Sequence, residues 1–185
     1  MFNPYSDVMV DIETTGTQPN RSAMIQLAAV KFNLAERTVS KNFFNRSLAI
    51  PAWRTWDEDT RNWWSTKPEV YSSIMAKAEK PAIVMHDFAD WAIQPGEPLR
   101  FWAKPTTFDF MFVSSYLKDF GEPVPFSYRD ANDLNSYLRG LYAPNDIDRS
   151  DEPALEGTAH DAIFDSLYQI KVLFHHADKK SPINN

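Results

Sequence analysis

Asp11 and Glu13 stand two residues apart in the segment Asp7 to Glu13 (DVMVDIE), which alternates apolar and polar residues and so reads as a β-strand. Alternation puts both carboxylates on one face, roughly 7 Å apart at the backbone, and Val8, Val10 and Ile12 mark the opposite, packed face. Two acids so placed repel unless a cation sits between them. Taken alone, Asp-x-Glu is a weak pattern that reads better as a solvated strand face. Thr14, Thr15 and Gly16 follow at once. Gly16 permits a positive φ or a close backbone approach. The threonines offer hydroxyl and N–H donors beside the acids, where a substrate's terminal sugar hydroxyl could dock.

A second group is His160 and Asp165 in HDAIFD. The segment predicts a helix capped by Thr158 and running to about Ala177, with His160 on its first turn. Five residues leave the two side chains about 140° apart, so they flank a cavity rather than stack. Asp165 lies among Ala162, Ile163, Phe164, Leu167, Ile170 and Leu173. An acid in apolar surroundings needs a partner, and a metal ion supplies one; the plainer reading is a surface acid. Asp109, in TTFDFMF, opens a helix after the short buried strand Leu99–Ala103. Its plain alternative is a first-turn acid favourable to the helix dipole.

These residues need a scaffold, and the chain of 185 residues, 43% hydrophobic and 24% charged, suffices for one domain spanning residues 1–185. Three strands come first: Asp7–Glu13, Met24–Phe32 and Thr38–Leu48, the last two joined by a hairpin at Asn33–Arg37. Helices are predicted from Thr55 or Asp57 to Trp64, over Glu69–Lys77, and over Pro81–Ile93 with proline in the first turn. After the Leu99–Ala103 strand come a helix Phe108–Phe120 closed by Gly121, a short strand Ser127–Arg129, a helix Asp130–Leu141 and an acidic loop Tyr142–Gly157. The order predicts a mixed α/β sheet whose first three strands are antiparallel, a ribonuclease H-like arrangement. Asn184 and Asn185 read as a frayed end.

Composition narrows the chemistry. No cysteine is present, so thiolate catalysis and Cys-based zinc sites are excluded, leaving carboxylates and four histidines as candidate ligands. No apolar run reaches the ~20 residues of a membrane helix, and no basic-then-apolar leader is visible; the default location is cytoplasmic. The net charge of −6 argues against coating a long duplex, but not against gripping one strand end, since two divalent ions would bring four positive charges to the site.

Together, DIETTG, FDF and HDAIFD resemble the DEDDh branch of the DnaQ-like 3′→5′ exonucleases, over almost the whole chain from Asp11 to Asp165. EDTRNWW and WAKPTTFDF resemble the subgroup of phage DexA-type exonucleases and a mycobacterial exoribonuclease. Many relatives carry Asn or Gly where this chain has Lys104-Pro105. The resemblance implies a ribonuclease H-like fold and two-metal phosphodiester hydrolysis with magnesium or manganese. Asp11 would bridge both ions, Glu13 and Asp165 would complete the first, and Asp109 would hold the second. His160 would act as general base, the substrate would be single-stranded DNA or RNA with a free 3′ end, and nucleoside 5′-monophosphates would be released. A homodimer is compatible with this reading.

Other residues stay in the background. Trp63 and Trp64 point about 100° apart on a helix, so at most one faces a groove and core packing is expected for at least one. His86 with Asp87 and Asp90 reads as a solvated face, and His175 and His176 as a last helical turn. Arg21, Arg61, Lys67 and Arg129 are unranked candidates for phosphate contact. RNA trimming and DNA hydrolysis remain alternatives; an inactive nucleic-acid-binding module and a metal-dependent phosphatase are the rival classes.

Overall fold

The computed structural model describes residues 4–180; Asn184 and Asn185 lie outside the described residues. Among these residues seven strands form one mixed sheet: β1 (Asp7–Thr14), β2 (Met24–Asn33), β3 (Thr38–Val39), β4 (Phe44–Leu48), β5 (Ala78–Glu79), β6 (Arg100–Ala103) and β7 (Asn132–Asp133). Their order is β5-β4-β2-β1-β6-β7, with β3 paired to β2 beside β4. β1 and β4 each run antiparallel to β2, which lies between them, and β6 and β7 continue parallel to β1. This is the expected ribonuclease H-like mixed sheet.

Among the described residues six α-helices flank it: α1 (Glu58–Ser65), α2 (Pro68–Met75), α3 (Pro81–Ala92), α4 (Thr106–Asp119), α5 (Leu134–Tyr142) and α6 (Ala162–Lys179). The period-two pattern of β1 sorts its residues between two cores. Val8, Val10 and Ile12 join Val84, Phe88, Phe112 and Tyr116 of α3 and α4. Met9 joins Val30, Phe32, Leu134, Leu138, Ile170 and Leu173 beneath α5 and α6. Asp11 and Glu13 share the face of Met9, so the acids lie under α6 at the end of the strand. Ile25, Trp64 and Ile74 form a third cluster under α1 and α2.

Several predicted boundaries move. The strand expected over Thr38–Leu48 is two strands on β2, because Ser40 turns the chain: its hydroxyl accepts the Asn42 N–H at 3.1 Å while its own N–H donates to the Lys31 carbonyl at 2.8 Å. Ser127–Arg129 is not a strand. Residues Tyr128–Asp130 form a 3₁₀ turn capped by the Ser127 side chain, and the strand falls at Asn132–Asp133. The following helix starts at Leu134 rather than Asp130, because Asp133 is its cap, accepting from the Ser136 N–H at 2.7 Å. Thr158 does not cap the last helix. Its carbonyl closes a turn with the Asp161 N–H at 3.3 Å, and Asp161 is the cap of α6. Among the described residues, no helix is long and apolar enough to cross a membrane.

Candidate active site

β1 delivers Asp11 opposite Ala28 and Glu13 opposite Gln26 of β2; the register then slips between Glu13 and Thr14. The bulge turns the chain into the Thr14–Ser22 loop. There Thr14 Oγ1 donates to the Gly16 carbonyl at 2.7 Å. Thr15 Oγ1 donates to the Thr55 carbonyl at 2.8 Å and accepts the Ala23 N–H at 2.7 Å. The hydroxyls expected to meet a substrate are therefore engaged inside the turn, with Thr15 fully buried. Gly16 serves by close approach: a Cβ there would stand 2.4 Å from Ser22 Oγ and 2.6 Å from Asp57 Cβ. The buried Arg54 guanidinium braces the same turn, donating to the Pro19 and Ser22 carbonyls and to Ser115 and Asp119 of α4. Arg54 was not singled out by the sequence, since a lone Arg in an irregular loop gives no periodic signal.

Asp109 sits in the first turn of α4, only 3% exposed. Its Oδ1 accepts the Ile12 backbone N–H at 3.1 Å. That bond carries the third acid across the end of β1, to the residue between the first two. Asp165 lies in the first turn of α6, and its Oδ2 accepts the His160 N–H at 2.9 Å. One turn further on, Gln169 donates its amide to Asp11 Oδ1 at 2.7 Å, and its own Oε1 is buried with no hydrogen-bond partner. Gln169 was missed by the sequence reading, although its i+4 spacing from Asp165 is a legible signal.

His160 is not on the first helical turn as predicted. It precedes α6, with φ of +63°. Its ring stands edge-on to Trp63 at 4.9 Å between centroids. Trp63 is 39% exposed, whereas Trp64 is buried and donates its indole N–H to the Thr14 carbonyl at 2.9 Å. One tryptophan thus packs and its neighbour faces the site, as helical geometry requires. Of the remaining histidines, His86 is exposed beside Glu122 and Asp90. His176 is fully buried between the Tyr142 hydroxyl and Glu152, each at 2.8 Å, a deeper role than a helix-end cation.

One ligand atom each from Glu13, His160 and Asp165 falls within 4.8 Å of the other two. Asp11 and Asp109 are outside this trio but within its electrostatic reach. Burial, then Asp165, push the Asp11 carboxyl up to about 8. Burial, then Asp11, Asp165 and Asp109, push Glu13 up to about 9. Burial, then Asp11, raise Asp109 well above the carboxylate range, and burial raises Asp165. Among the described residues no Lys or Arg pairs with any of the four; the exposed Lys104 only tempers Asp11 and Asp165 from a distance. Four oxygen-donor acids crowded without a cation partner fit hard divalent ions such as magnesium or manganese.

Residues 6–176 match the family model described as the 3′-5′ exoribonuclease Rv2179c-like domain. No curated protein matches the chain. Among solved structures, the zinc-bound E. coli exonuclease I–single-stranded DNA complex aligns at a TM-score of 0.71 with 17% identity, over 95% of this chain and 41% of that one. Exonuclease I of Methylocaldum szegediense aligns at 0.68 with 18% identity, over 95% and 40%. S. pombe Pop2p, in its Mg2+ and Mn2+ bound form, aligns at 0.69 with 12% identity, over 95% and 84%. The chain thus spans about two fifths of the exonuclease I chains it matches, and at these identities the likeness is one of fold. With the family model covering nearly the whole chain, the chain belongs to the 3′-5′ exoribonuclease Rv2179c-like domain family.

Proposed function

We propose that this chain is a metal-dependent exonuclease that removes nucleotides from the 3′ end of single-stranded nucleic acid, releasing nucleoside 5′-monophosphates. The observation that carries the reading is the convergence of Asp11, Glu13, Asp109 and Asp165 without a cationic partner, with the His160 ring at their edge. Asp11, Glu13, Asp109 and Asp165 would hold two magnesium or manganese ions. Bound there, such ions supply Lewis acidity to the scissile phosphate and acidify the attacking water. His160 takes the proton of that water, a task suited to imidazole near neutral pH. Gln169 holds Asp11 in orientation through its amide. The Glu13–Gly16 turn, stiffened by its internal hydrogen bonds, offers its backbone to the terminal sugar. Trp63, exposed beside His160, offers an aromatic face to the terminal base.

The family's description as exoribonucleases favours RNA as the substrate. The exonuclease I structures in complex with single-stranded DNA and with a dA16 oligonucleotide support the single-stranded state of the substrate. The decisive experiment is digestion of 5′-end-labelled RNA and DNA oligonucleotides in parallel, with EDTA, magnesium or manganese. The expected result is stepwise shortening from the 3′ end, abolished by EDTA, restored by either metal, and resisted by a 3′-phosphate or a circular strand. Full activity in excess chelator, or cutting of the circle, overturns the reading.

A second reading has its own observation: the His160 ring lies close enough to Glu13 and Asp165 to be a ligand. Calorimetric titration with manganese separates the two. A base leaves metal affinity nearly unchanged in His160→Ala; a ligand does not.

A further inference from the structure

Gln26 stands on β2 directly opposite Glu13, 4% exposed, with Ser47 of β4 on its other side. Both ends of its carboxamide are used. Nε2 donates to Asp161 Oδ1 at 2.8 Å and to Asn45 Oδ1 at 3.1 Å, and Oε1 accepts the Ala162 N–H at 3.1 Å. Asp161 is the cap of α6 and Ala162 its first residue. One side chain therefore fastens the start of the last helix to the sheet, on the strand next to the catalytic pair.

His160 immediately precedes this attachment. Its backbone is in the left-handed region, φ +63°, which a side chain other than glycine holds only when its surroundings enforce it. Two enforcing contacts flank it: its own N–H is taken by Asp165, and the next two residues are taken by Gln26. Released on the Gln26 side, residue 160 would relax toward ordinary backbone angles, and the imidazole would leave both Glu13 and the Trp63 ring. A carboxylate at position 26 would not substitute, because it would offer no donor to Asp161 and would add repulsion. A hydrocarbon of the same length would offer neither bond. The chemistry thus requires a neutral group that donates and accepts at once, and glutamine at this depth provides it.

We propose that Gln26 is a positioning residue for the general base: it acts through Asp161 and Ala162 to hold His160 at the reacting water. The inference rests on His160 being that base.

The test is a double-mutant cycle on the full chain with manganese present. Gln26→Leu is expected to lower kcat about 10–100-fold, the usual scale for a residue that orients a functional group from behind, with KM nearly unchanged. In a His160→Ala background the same substitution should cost nothing further. The pair Gln26→Glu with Asp161→Asn reverses the donor and the acceptor, keeps a good helix cap, and should restore much of the kcat that Gln26→Glu alone loses. In the metal-free protein, the His160 ring carbon–proton signal, shifted by the Trp63 ring and assigned through His160→Ala, should move toward its unshifted position in Gln26→Leu. If His160→Ala is fully active, the base assignment itself fails. If His160→Ala is impaired but Gln26→Leu costs the same with and without the histidine, or the exchanged pair rescues nothing, Gln26 is a packing residue and the proposal is overturned.

Discussion

At the scale of single residues, the site is governed by charge held out of water. Asp11 is pushed up to about 8 by burial first and Asp165 next, and Glu13 up to about 9 by burial first and then by Asp11, Asp165 and Asp109. Removing one charge while keeping shape therefore has two opposite consequences. Asp11→Asn or Asp165→Asn should lower turnover by more than about 100-fold, beyond what loss of a supporting contact costs, and should raise the melting temperature of the metal-free protein by a few degrees, on the scale of about 2–4 °C per kcal/mol for a chain of this size. Thermal melts in EDTA and single-turnover assays in manganese check both; near-wild-type turnover would show that these acids are not ligands. His160→Ala should lose on the order of 10²–10⁴-fold in kcat and keep its metal affinity. Gln169→Leu should do the reverse in kind, weakening manganese binding about 10–100-fold, because Asp11 loses the amide that orients it. Equal metal affinities for Gln169→Leu and wild type would remove Gln169 from the site.

At the scale of elements, the chemistry depends on three places where chain direction changes: the bulge after Glu13, the first turn of α4 and the approach to α6. Gly16 reports on the first. A methyl group there meets Asp57 Cβ at 2.6 Å, at the cap of α1. Gly16→Ala should cost about 1–3 kcal/mol as an overpacked substitution, and should shift α1 and with it Trp63. Urea denaturation measures the first effect and substrate KM the second; unchanged values in both would mean that the turn is not the rigid joint its hydrogen bonds suggest. The same three places explain what was legible in the sequence. β1 was readable because its residues alternate at period two, and β2 because a short, mostly apolar run follows the turn chemistry of Thr14–Ser22. The helix over Pro81–Ala92 was readable because Pro81 sits in its first turn. Asp109 and Asp165 were readable as acids amid apolar neighbours. The start of α6 was not, because Thr158 and Asp161 are both good caps, and the choice is made by Gln26, which lies 135 residues from Asp161 along the chain. For the same reason His160 was misplaced onto the helix, when a long-range clasp holds it outside. The two-residue strands β5 and β7 carry no periodicity at all; their pairing partners define them.

At the scale of the whole molecule, the raised carboxyls tie folding to pH and to metal together. In the unfolded chain Asp11 and Glu13 ionise near the ordinary carboxylate values of 3.8 and 4.5, and in the folded chain near 8 and 9. A group whose folded pKa is raised leaves stability intact below its unfolded pKa and withdraws it as pH rises through the folded one. These two acids therefore weaken the metal-free protein progressively from about pH 4 to about pH 9. Asp133, held down by hydrogen bonds from Ser136 and Thr106, acts oppositely and withdraws stability in acid. The metal-free melting temperature should accordingly peak on the acid side of neutrality and fall between pH 6 and pH 8.5. Divalent ions compete with protons for the same oxygens, so their binding releases protons and strengthens with pH. Mass action then predicts a manganese-induced rise in melting temperature that is small at pH 5 and grows steadily to pH 8.5. In a chain carrying both Asp11→Asn and Glu13→Gln, the decline in EDTA should flatten and the rise with manganese should vanish. Melts across this range, with EDTA or manganese, separate the alternatives: a metal-free melting temperature that is level or rising from pH 6 to pH 8.5 would mean that the acids are solvated rather than crowded, and the case for an ion between them would fall with it.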